Sequence, residues 1–125
     1  MAKLYKTTVD RSAINFNSGA ELLLDNLEVA ESLVKRGTGL LGRKGLDVGQ
    51  ALWIKPCNNI HTFFMKFAID CIFVDRNLEI KKIVKTVKPF RMVGPYWKAH
   101  SVIETKAGFA EEKNLQIGDQ LYVVS

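Results

Sequence analysis

Residues 56–75 set a thiol, an imidazole and a carboxylate into one apolar run: Cys57, His61 and Asp70 stand among Ile60, Phe63, Phe64, Met65, Phe67, Ile69, Ile72 and Phe73. A thiol beside a base is a potential nucleophile, an imidazole serves as a base near neutral pH, and a carboxylate can orient it. The three residue types therefore fit a small thiol-dependent hydrolase using Cys57, His61 and Asp70. Spacing alone does not assemble such a site, and no oxyanion-loop signature accompanies it. The alternative for each residue is structural: Cys57 as a small buried hydrophobe, His61 as a hydrogen-bonded residue at a strand end, and Asp70 as a carboxylate tying a loop to a sheet.

Asp70 is the least expected member, because burying a carboxylate costs free energy unless donors surround it. On a strand it shares a face with Ile72 and Val74, opposite Ile69, Cys71 and Phe73. Either that face is solvated, or Asp70 has a partner such as Arg43, Arg91, His61 or a backbone N–H group. Cys57, His61, Asp70, His100 and Glu104 are chemically able to ligate zinc, but no pair has finger or H-E-x-x-H spacing. We expect no metal and no cofactor. The ligand-binding candidates are Cys57, His61, Met65, Asp70, Arg91 and Glu104, with a groove expected between residues 61–65 and the loop 89–101.

These residues must be positioned by short elements. Period-two patterning and β-branched or aromatic content predict strands at residues 4–9, 13–16, 21–24, 27–30, 51–54, 60–67, 69–74, 79–87, 102–105 and 120–124, several of them merging or pairing with neighbours. Turns are expected at 17–19, 25–26 and 75–77, the last closing a hairpin over 69–87. A helix is expected over 31–41, with Leu33, Val34, Leu40 and Leu41 on one face, and another over 107–114. The fold class is mainly β (α+β), an antiparallel twisted sheet or partly closed barrel of about eight strands with two short helices.

The chain has 125 residues, 47% hydrophobic and 25% charged, as befits one globular domain spanning 1–125. Its two cysteines make no disulfide framework. No apolar leader opens the sequence, and the longest apolar stretch is interrupted by His61, Lys66 and Asp70, so we expect a cytoplasmic protein with no membrane association. The net charge of +5 is concentrated. Lys81, Lys82, Lys85, Lys88, Arg91 and Lys98 fall within residues 80–103, which contain no acid. With Phe90, Tyr96 and Trp97 nearby, that run is a candidate for nucleic-acid binding; the favoured reading is a solvated edge strand whose lysines oppose unwanted pairing.

The order Gly39-Leu40-Leu41-Gly42-Arg43, then Cys57-x-x-Ile60-His61-Thr62-x-x-Met65, then Ile69-Asp70-x-x-Phe73-Val74-Asp75, resembles the domain of unknown function 192 family. Val102-Ile103-Glu104, Ala107-Gly108 and Gly118-Asp119 extend the resemblance, which covers roughly residues 22–124. It implies a compact domain of strands with small helices and implies no activity. Many relatives are exported, whereas this sequence shows no leader. Ala68 stands where relatives often have Pro, and Thr105-Lys106 where they commonly have Leu-Pro. The leading expectation is a small soluble binding or accessory domain with a pocket near His61 and Asp70, its partner a small molecule or peptide. Whether it is an enzyme, and its oligomeric state, are left open.

Overall fold

A computed structural model describes residues 2–10 and 17–125. Nine strands and two short helices occur among them: β1 (Ala2–Asp10), β2 (Asn17–Ala30), α1 (Leu33–Thr38), β3 (Gln50–Ile54), β4 (Ile60–His61), β5 (Ile69–Val74), β6 (Ile80–Val87), β7 (Met92–Val93), β8 (Ser101–Lys106), α2 (Phe109–Glu112) and β9 (Leu121–Val124). Seven strands form one sheet in the order β6-β5-β8-β3-β2-β1-β9, and β4 pairs with β7 in a small ladder. Every pairing is antiparallel except β2 with β3. That pair is parallel because the chain returns through α1 and the loop after it, as a crossover must. The sheet is therefore mixed and mainly antiparallel. It does not close into a barrel, but its ends are tied by a bridge between Glu79 and Gln120 and by the Ile80 N–H donating to the Asp119 carbonyl.

The hairpin expected over 69–87 forms as β5 and β6, and β6 is an edge strand, as its lysines suggest. The strand expected over 13–16 lies outside the described residues. Other local expectations yield to long-range pairing. Residues 17–19 and 25–26 carry turn-forming side chains, yet both stretches belong to β2, where Asn26 pairs with Gln50 and Gly19 with Thr8. Residues 60–67 give only β4 before the chain turns. The Thr62 hydroxyl donates to the Lys88 carbonyl at 2.6 Å and accepts the Arg91 N–H at 2.9 Å, binding that turn to the loop after β6. The first helix is shorter than expected, capped by the Ser32 hydroxyl accepting from the Lys35 N–H and stopped at Gly39. Leu33 and Val34 on it are exposed while Leu40 is buried, so the expected common apolar face does not exist.

Strand alternation divides the core into two layers. Ala51, Trp53, Ile72, Val74 and Ile103 pack on one face of the sheet with Phe109 and Ala110 of α2. Leu52, Ile54, Cys71, Phe73 and Val102 pack on the other with Leu40, Met65 and Val93. Asp70 points into the α2 side and is fully buried. Its partners are backbone N–H groups, one of the options the sequence allows. Oδ1 accepts from Thr86 at 2.8 Å, and Oδ2 accepts from Gly108 at 3.2 Å and Ala110 at 3.0 Å. The first donor lies where the β5–β6 register slips between Ile69 and Cys71, which takes Thr86 out of the ladder. The other two lie at the start of α2, whose own N-cap, Gly108, has no side chain to offer. One carboxylate thus fastens a bulged edge strand and a helix start to the central strand beside it.

Replacing Asp70 with Ala leaves three N–H groups without their acceptor. At about 1–3 kcal/mol per unsatisfied buried group, the loss should be at least ~3 kcal/mol. Urea denaturation of the wild type and the variant measures it; a loss below about 1 kcal/mol would show that Asp70 does not hold these elements.

Candidate functional site

The two segments expected to flank a groove, residues 61–65 and 89–101, are instead joined to each other. Ile60 pairs with Val93 and His61 with Met92, the Thr62 N–H donates to the Arg91 carbonyl, and the Tyr96 N–H donates to the Asn58 carbonyl. The groove lies on the opposite side of residues 57–65. There α1 and residues 39–41 face the end of β3 and the middle of β8 across a cavity of about 270 Å³. Four of the six candidates, Cys57, His61, Met65 and Glu104, line it. Asp70 does not, being on the far face of the sheet, and neither does Arg91, which is exposed in the loop after β6.

Glu104 is the unusual member. It sits in the middle of β8, opposite Leu52 of β3 and Cys71 of β5, and is 3% exposed. Strand alternation sends it to the face away from Asp70, which lies opposite the next residue of β8, Thr105. Among the described residues, no hydrogen-bond donor or cation pairs with its carboxylate, in contrast to the three that serve Asp70. Arg43, the nearest cationic influence, is engaged elsewhere: its guanidinium donates to both oxygens of Glu28, at 3.2 and 2.8 Å. Burial pushes the Glu104 carboxyl up to about 7, against a weaker opposing pull from Arg43.

The backbone at Gly39 allows this groove to approach so closely. Its φ of +49° is one that side chains rarely adopt, and a Cβ there would stand 3.4 Å from Glu104 Oε1. Leu40, Ile54 and Met65 supply apolar wall on either side of the carboxylate. Arg36 supplies the opposite charge. One of its terminal nitrogens donates to the Pro56 carbonyl at 3.2 Å, while its buried Nε has no acceptor among the described residues. Nothing in the sequence patterning marks Arg36 as part of a site, because it lies on a short exposed helix among other polar residues. Its role follows only from the fold of residues 54–59 against α1.

Cys57 shows no sign of activation. Its Sγ donates to the Asn59 carbonyl at 2.8 Å, and burial, aided by the Glu104 charge, raises the thiol above the ordinary cysteine range. Cys71 is fully buried behind it, and burial pushes that thiol up as well. His61 is exposed at the mouth and stacks on Phe63, with ring centroids 5.2 Å apart. Cys57 and His61 thus share a groove with Glu104 rather than with Asp70. Among the described residues, no three His, Cys, Asp or Glu side chains gather closely enough to hold a metal ion.

A larger cavity of about 540 Å³ lies between β2, the loop before β3 and α2. Its carboxylates, Asp25, Asp47 and Glu112, are all exposed to solvent and so have no unmet requirement for a partner. The smaller groove is the better candidate, because a buried unpaired carboxylate there carries a cost that a bound group could offset.

The model of the domain of unknown function 192 family (DUF192, "Uncharacterized ACR") matches residues 14–123. The UPF0127 protein PF1050 of Pyrococcus furiosus is 29% identical over 113 residues, covering 86% of this chain and 94% of that protein. The UPF0127 protein PH1112 of Pyrococcus horikoshii is 32% identical over 100 residues, covering 76% of this chain and 84% of that one. A crystal structure of a protein of unknown function from Novosphingobium aromaticivorans shares the fold, with a TM-score of 0.77 at 17% identity, over 96% of this chain and 83% of that one. A crystal structure from Sinorhizobium meliloti is similar, with a TM-score of 0.75 at 15% identity, covering 98% and 94%. With nearly its whole length matched, this chain belongs to the uncharacterised DUF192 family.

Proposed function

We propose that this domain is a non-catalytic binding module whose small ligand sits in the groove between α1 and residues 54–65, against Glu104. The observation that carries the reading is a buried carboxylate, lacking a partner among the described residues, that lines a cavity. An unpaired buried carboxylate destabilises the fold that holds it, whereas a bound donor or cation offsets the cost. The small volume favours a small molecule, or one side chain of a peptide, over a drug-sized ligand. No helix among the described residues is long and apolar enough to cross a membrane, and we propose a cytoplasmic location.

The thiol-hydrolase reading has less support. Its nucleophile would be a thiol that donates to a carbonyl and ionises late, and its orienting Asp70 already accepts three backbone bonds. The nucleic-acid reading also has less support. Tyr96 packs edge-on against Phe73, Phe90 packs against Phe63 and Phe64, and Lys81 is paired with Asp75 and Glu79.

Three outcomes follow. Small organic fragments added to the full chain should shift the amide NMR signals of Gly39, Leu40, Asn59 and Ile60. A Leu41→Trp variant, which fills the groove from its rim, should abolish those shifts, and Val48→Trp at the larger cavity should not. The reverse pattern would move the binding site to the larger cavity.

Glu104 should also make stability depend on pH. Its folded pKa of about 7 lies above the 4.5 of the free group, so between these values the native state holds more protons than the unfolded one. Stability then falls as pH rises from about 4.5 to about 7, by about 3 kcal/mol, and Glu104→Gln removes that slope. Urea denaturation across pH 4–8 reads it, and equal slopes in the two proteins would contradict the assignment.

Iodoacetamide should alkylate Cys57 at pH 7 more slowly than it alkylates a cysteine in the urea-unfolded chain. Faster alkylation in the folded protein would restore the thiol-enzyme reading.

A further inference from the structure

The groove also carries a group of opposite charge. Glu104 brings a carboxylate with no donor among the described residues, and Arg36 brings a guanidinium that one terminal nitrogen ties to the Pro56 carbonyl and whose buried Nε has no acceptor among the described residues. Both line the same cavity, and Leu40, Ile54 and Met65 line it as well. The charges around them are otherwise balanced, since Arg43 is paired with Glu28 in a two-pronged bond that Gln50 supports from 3.2 Å. A simple cation would satisfy Glu104 and leave Arg36 unmet. A simple anion would satisfy Arg36 and bring negative charge near an already buried carboxylate. A metal ion would find one carboxylate and no group of three ligands among the described residues.

We propose that the groove is a binding site for a small zwitterion: a molecule that presents an ammonium group to Glu104, a carboxylate to Arg36 and a short hydrocarbon segment to Leu40, Ile54 and Met65. This rests on the groove being the ligand site and adds the chemical class of the ligand. Each charged end meets a charged partner, and such hydrogen bonds are stronger than those between neutral groups. The apolar wall rewards an alkyl segment in the ordinary way. The groups that act on Glu104 are Arg43 from the loop after α1, Cys57 before β4 and Cys71 from β5, while Arg36 from α1 and His61 of β4 line the same groove. The ligand requires Glu104 ionised, so binding expels a proton when the pH is low. Affinity should be flat above pH 7 for as long as the ligand's amine stays protonated, and fall about tenfold per unit below pH 7.

Two isomers, L-norleucine and 6-aminohexanoate, test this, because they carry the same atoms with different charge separation. Pentylamine, hexanoate and 1-pentanol are the partial probes. Titration of the full chain, followed by amide NMR at Gly39, Leu40, Cys57 and Asn59, should show at least one zwitterion binding about tenfold or more tightly than every partial probe. Glu104→Gln and Arg36→Gln should each weaken it by about tenfold or more. Folding of both variants is checked by their unchanged amide spectra away from the groove. If any partial probe binds as well as the better of the two zwitterions, the proposed class is wrong and the groove remains a ligand site. If none of the five probes moves the groove signals, both the class and the binding reading fail.

Discussion

A carboxylate inside a β-sheet must find donors or carry the cost of burial, and this fold resolves that constraint differently on its two faces. On one face, Asp70 accepts three backbone N–H groups from two elements distant in sequence. On the other, Glu104 accepts none from the described residues and faces a cavity. The two carboxylates belong to neighbouring strands, and Asp70 stands opposite Thr105, one residue along from Glu104. A period of two is enough to send them to opposite sides. Structure and candidate function are separated by the thickness of one sheet.

Asp70 explains why the edge of the sheet is where it is. Without an acceptor, the bulge in β6 and the start of α2 would both present buried N–H groups to an apolar layer. With it, the bulge becomes a fixed feature and α2 closes over Ile72, Val74 and Ile103. The opposite layer is built from pieces with little regular structure: α1, residues 39–41, and the β4–β7 ladder pinned by Thr62. Such pieces leave clefts where they meet. The candidate groove is one of these, and its floor is the regular strand that bears Glu104.

Much of the sheet was legible in the sequence. Ile69–Val74 and Ala51 to Ile54 are rich in β-formers, and the turn at 75–77 fixes the hairpin partner of the first. The lysine-rich run is indeed an edge strand. What was hidden depends on contacts far apart in the chain. Asn17 to Gly19 looks like a turn and is strand, because β1 holds it in register. Residues 62–67 look like strand and turn away, because Thr62 is bound to residues 88 and 91. The site was half legible: Cys57, His61, Met65 and Glu104 share the groove, whereas Asp70, equally conspicuous as a carboxylate in apolar sequence, serves the fold. Sequence alone could not separate them, since both are acids on buried strands and only their donors differ. Arg36 could not be found at all, because only the fold of α1 brings it to the groove, where its Nε has no acceptor among the described residues.

Glu104 is a buried, titratable carboxyl that faces the groove with no partner among the described residues. A carbon NMR titration of its side-chain carboxyl in the full-length chain measures this directly. The expected midpoint is close to 7, moving down when a cationic group occupies the groove. A midpoint at or below the usual glutamate range would mean that Glu104 is already paired or solvated, and the groove would lose its reason to bind anything.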